Sequence, residues 1–140
     1  MKTFRRWNKK IIEDDGAYCS DECKSFYKAF KNFIKRSFPD AEIIGFETNH
    51  YDTFGFIKQD GRCIYVSHSM DRRYNYCTVD FKDNSCMNGV LYRIAKDEHS
   101  YSRNTGRNHF ASINTMVEEI KNLIKGRETW EEILWQNKNY

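Results

Sequence analysis

The spacing of apolar residues changes period twice along this chain, and few folds accommodate both changes. Between residues 18 and 37, Cys19, Cys23, Phe26, Tyr27, Phe30, Phe33 and Ile34 recur every three or four positions. That is the repeat of one helix face. From residue 42 to residue 96 the chain breaks into short segments with strand character. From residue 112 the helical repeat returns, with Ile113, Met116, Val117, Ile120, Leu123 and Ile124 on one side. Two amphipathic helices bracketing successive hairpins predict an α+β fold. A single antiparallel sheet of about five strands would bury its apolar face under the two helices, because each apolar stripe needs a partner.

Local chemistry sets the expected boundaries. Ser20 caps the first helix with Asp21 and Glu22 in its first turn, and Pro39 follows its end. Strands are expected at 42–47, 53–58, 62–68, 74–81 and 89–96, with a turn at 82–89. Asp60-Gly61 is a two-residue hairpin signal. Ser112 caps the second helix and Gly126 ends it. Thr129 with Glu132 makes a capping box for a short C-terminal helix at 127–140 carrying Trp130, Ile133 and Leu134. Residues 1–17 read as a flexible or docked N-terminal segment. The whole, 1–140, is read as one domain.

Composition narrows the class. Aromatic residues make up 16% of the chain, enough for a substantial core despite 31% charged residues. The net charge of +3 is too mild to argue for nucleic acid by itself, so an electrostatic partner must be recognised by local clusters. No apolar run approaches the length of a membrane span. Five scattered cysteines, Cys19, Cys23, Cys63, Cys77 and Cys86, suit a reducing compartment, and a cytoplasmic protein is expected.

Catalytic patterns are weak. Cys19 and Cys23 share the apolar stripe of the first helix, which favours core packing over a metal site. His50, His68, His99 and His109 form no close pair. Acid–base work would need His68, His99 and His109 to converge, and solvated positions are the simpler expectation. Phosphate-loop, dinucleotide and nucleophile-elbow motifs are lacking in the sequence. The adjacent acid pairs Asp14-Asp15, Asp97-Glu98 and Glu131-Glu132 diverge rather than converge. No catalytic residue, metal ligand or cofactor is assigned, and the chain is not read as an enzyme.

Binding patterns are stronger. Lys24, Lys28, Lys31 and Lys35 fall on one face of the first helix, offset from its apolar stripe. Such a row suits phosphates or an acidic protein face, although lysine is also the usual exposed residue of an amphipathic helix. The polar stretch after the last expected strand holds Tyr101, Arg103, Arg107 and Asn108, whose planar donors and ring suit phosphates, carboxylates and bases. Arg72 and Arg73 occupy another turn that could join them. Arg93, inside a strand, is expected to anchor the polar stretch through Asp97 or Glu98.

The segment Leu91-Tyr92-Arg93-Ile94-Ala95-Lys96, followed by Tyr101, Gly106, Asn108 and a helix from Ile113, resembles small uncharacterised proteins of phages and mobile elements in Gram-positive bacteria. Tyr65-Val66-Ser67-His68-Ser69 with Asp71-Arg72 is similar to another of their segments. The resemblance covers about residues 53–125 and departs at Ile94, Ser100 and the single Gly106. It implies an accessory binding protein. The strand, Ser-His-Ser turn, strand, helix order is weakly similar to an anti-CRISPR inhibitor of a Cas nuclease. The expectation is a protein that inhibits a host defence effector or ribonucleoprotein, as a nucleic-acid mimic or competitor. Capture of a nucleotide signal and a small histidine-dependent nuclease are the alternatives.

Overall fold

A computed structural model of the chain describes residues 21–47, 52–69, 89–99 and 108–126. The elements are α1 (Asp21–Ser37), β1 (Glu42–Gly45), β2 (Asp52–Gln59), β3 (Arg62–Ser69), β4 (Gly89–Ala95), β5 (His109–Ser112) and α2 (Ile113–Lys125). The five strands form one antiparallel sheet in sequence order. The α+β class therefore stands. One strand differs from expectation. Residues 109–112, read as the end of a polar loop, pair with β4 from Gly89–Ser112 to Tyr92–His109. The N-terminal segment, the Ser20 cap, Cys19, the strand expected at 74–81 and the C-terminal helix lie outside the described residues. β3 pairs directly with β4, from Cys63–Ala95 to Ser67–Leu91, so no strand separates those two.

Turn chemistry explains the boundaries. Asp60 and Gly61 both have positive φ, 54° and 76°, as a two-residue turn between right-twisted strands requires. β1 ends where Gly45 and Phe46 turn left-handed, at φ 83° and 64°. Phe46 tolerates that conformation because its N–H bonds the Phe54 carbonyl at 2.8 Å and its ring is buried. The ring lies over Gly55, where a Cβ would come within 2.6 Å of it. At the other end of the sheet, the Ser112 hydroxyl accepts from the Thr115 N–H at 3.1 Å and starts α2.

Both helices cover the same sheet face. Phe26, Tyr27, Phe30, Phe33 and Ile34 of α1 form one core with Ile113, Met116, Val117 and Ile120 of α2. Ile57, Ile64, Val66, Val90 and Tyr92 supply the sheet side. Each Phe or Ile taken fully from water stabilises the fold by roughly 1.5–3 kcal/mol. His68 belongs to this core. It is fully buried, and the Tyr27 hydroxyl lies 3.0 Å from its Nδ1. The expected solvated position for His68 is thus corrected: Tyr27 of α1 reaches over the end of β3 and gives the imidazole Nδ1 a partner.

The second face is not simply solvated. Phe56, Cys63 and Ala95 form a small buried cluster with Ile44 and Tyr65 against it. All seven residues of β4 are buried, so both sides of this strand are covered in the folded chain.

Gly126 closes α2, but at φ −60° rather than in the left-handed conformation common at helix ends. Arg62 serves the open carbonyls instead. Its Nη1 donates to Leu123 and Ile124 and its Nη2 to Gly126, the last two at 2.8 Å. Charge-assisted bonds to helix-terminal carbonyls are favourable in both hydrogen bonding and dipole interaction. Arg62→Ala is expected to cost about 1–2 kcal/mol and to lower the melting temperature by roughly 3–7 °C. Arg62→Lys should recover only part of that, since an ammonium lacks the fork. An unchanged melting curve for Arg62→Ala would show that the cap contributes nothing.

Candidate nucleic-acid interface

The helical repeat of α1 that buries Phe26, Phe30 and Phe33 turns Lys24, Lys28, Lys31 and Lys35 to the outside. At ~1.5 Å rise per residue the row extends roughly 16 Å along the helix. Lys24, Lys28 and Lys35 are exposed, and none pairs with an acid among the described residues. Lys31 differs. It is half-buried, and its Nζ lies 2.9 Å from Glu47 Oε1. That hydrogen bond, with the charge of Lys31 and more weakly Lys35, holds the Glu47 carboxyl below the usual carboxylate range. Lys35 and Arg36 also lie in the last turn of α1, where cations suit the helix dipole.

Asn108, immediately before β5, is placed against β4. Its Oδ1 accepts from Arg93 Nη1 at 3.2 Å. Arg93 is buried, and its guanidinium carbon sits 4.2 Å from the centroid of the Tyr65 ring. Stacking on an aromatic face offsets part of the cost of burying that charge. The expected anchor of Arg93 is therefore replaced. Glu98 is taken by Lys58 at 2.9 Å, Asp97 accepts the His99 N–H, and Arg93 reaches Asn108 across the β4–β5 pair. Tyr101, Arg103, Arg107, Arg72 and Arg73 lie outside the described residues.

Among the described residues, the exposed aromatics do not join the lysine row. Phe54 and Phe110 are 36% and 46% exposed, but both belong to the second sheet face. They end a cross-strand row whose middle members, Ser67 and Leu91, are buried.

The three described histidines are spread rather than assembled. His68 opposes Thr53 under α1, His109 opposes and stacks on Tyr92, and His99 is exposed in the turn after β4. His50 lies outside the described residues. Burial pushes the Cys63 thiol up to about 12, with the Glu98 charge adding to the effect, so it stays protonated at neutral pH. Among the described residues, no three His, Cys, Asp or Glu side chains are grouped to hold a metal ion. No described helix is long and apolar enough to cross a membrane.

Sequence reading found the lysine row from its periodicity but missed Glu47, sixteen residues beyond Lys31. It missed Tyr65 as the platform for Arg93 as well. Only the sheet register brings those two opposite each other. Comparison of the chain with family models, curated proteins and solved structures gives no match.

Proposed function

We propose that this chain is a binding protein of a phage or mobile element that inhibits a host defence effector, in the manner of anti-CRISPR proteins. It does so by seating the lysine face of α1 on nucleic acid carried by that effector. The observation that supports this reading is the row Lys24, Lys28 and Lys35, exposed along one helix face without an acid partner among the described residues. Like charges at helical spacing repel one another, and a phosphate backbone relieves that repulsion while releasing its own counterions. The backbone beneath the row is fixed because the apolar face of α1 is locked into the core. Phosphate contact therefore costs little backbone freedom, and only the lysine side chains are ordered on binding. With the resemblance expected for residues 53–125 goes the proposed setting, the host cytosol where defence nucleases act.

The test is phage plating on a bacterium that carries a CRISPR system targeting the phage. Expression of the wild-type chain should restore plaques by several orders of magnitude. The Lys24→Glu/Lys28→Glu/Lys35→Glu variant, checked for an unchanged melting curve, should not. A wild-type chain without effect across a panel of CRISPR and other nuclease-based defences would overturn the inhibitory role. Equal protection by both proteins would remove the contact from this face.

A further inference from the structure

We infer that Glu47 is a built-in competitor for the polyanion at the α1 face: it holds Lys31 out of the contact and limits the row to three available cations. This rests on the lysine contact proposed above and adds a regulator to that site.

The backbone around Glu47 is held in place. Phe46, just before it, is pinned by its left-handed turn, its N–H bond to Phe54 and its buried ring. The Glu47 carbonyl itself accepts from Thr53 Oγ1 at 3.1 Å, and Thr53 is fully buried. Residue 47 is therefore fixed on both sides, while its side chain remains 84% exposed. An exposed acid on a fixed backbone is delivered to the lysine row, where it hydrogen-bonds Lys31 Nζ at 2.9 Å and acts on Lys35 only through its charge.

The arrangement differs from an ordinary surface ion pair in one respect. Lys31 is only 26% exposed, so much of its side chain is already covered, and its ammonium lies beside the Glu47 carboxylate. A phosphate that binds Lys24, Lys28 and Lys35 meets a carboxylate at the fourth position. It must either displace Glu47 or forgo Lys31. Surface ion pairs contribute little to stability, so the pair is readily exchanged for a stronger anion. The carboxylate thus weakens binding without weakening the fold.

The experiment follows fluorescence anisotropy of a labelled DNA duplex of about 20 base pairs, titrated with protein at several salt concentrations. Each lysine–phosphate contact adds about 0.9 to the slope of log affinity against log salt. Glu47→Gln keeps the side-chain size and every backbone contact. It should steepen the slope by about 0.9 and tighten binding roughly five- to fifteen-fold at low salt. Adding Lys31→Ala to Glu47→Gln should return slope and affinity to wild-type values. If wild type binds and Glu47→Gln changes neither slope nor affinity, Glu47 is not a competitor, and the three-lysine contact survives. Absence of binding by wild type and Glu47→Gln alike overturns the inference together with the contact on which it rests.

Discussion

Phe30→Ala is expected to destabilise the chain by about 3–5 kcal/mol, the range for removing a large buried aromatic. Phe30 is fully buried, and its ring touches two elements at once, Phe46 after β1 and His68 at the end of β3. Deleting it loses the transfer free energy of the ring and leaves a cavity. That cavity is bounded by Phe46 and His68, and His68 is held in place by the Tyr27 hydroxyl. The bond resists movement of that wall into the space. Urea denaturation of the variant should show the shift, with Phe54→Ala as the comparison. Phe54 is 36% exposed, so its truncation should cost far less, about 1 kcal/mol. Equal losses at the two positions would contradict the assignment of the core to the α1 face.

Gly55→Ala should be almost as damaging, at about 3 kcal/mol, although it adds a single methyl group. A Cβ at this position would lie 2.3 Å from the Ile44 carbonyl oxygen and 2.6 Å from the Phe46 ring. The first contact is with backbone on the paired strand, so no rotamer change relieves it. Strand β1 must move away from β2 or Phe46 must leave the core. Thermal denaturation is expected to fall by roughly 10 °C. Phe46→Ala combined with Gly55→Ala should destabilise by less than the sum of the two single changes, because removing the ring makes room for the methyl. Strict additivity would mean that the Ile44 carbonyl alone sets the cost.

What the sequence made legible was whatever depends on neighbours along the chain. The stripe from Phe26 to Ile34, the Asp60-Gly61 turn and the Ser112 cap are each local, and each stands where the residues place it. What it hid depends on distant partners. β5 has only four residues, too few for a period to emerge, and it exists because β4 offers an edge. The end of α2 pointed to Gly126 alone, yet Arg62, more than sixty residues earlier, satisfies the carbonyls there. His68 looked solvated at a strand end because Tyr27, 41 residues away, was invisible to any local reading.

The candidate site divides in the same way. Helical periodicity was enough to align Lys24, Lys28, Lys31 and Lys35. It could not say that one of the four is occupied, since the occupying carboxylate comes from the far side of the β1 exit. Asn108 was singled out as a binding residue for its chemistry. Its amide oxygen meets Arg93 because the β4–β5 register places it there.

Salt dependence of duplex binding tests the central claim most directly, comparing the wild-type chain with Lys24→Glu/Lys28→Glu/Lys35→Glu. If these three cations grip a phosphate backbone, the variant's slope of log affinity against log salt should be shallower by about 2.7, with affinity lost most at low salt. Identical slopes and affinities for the two proteins would contradict the account.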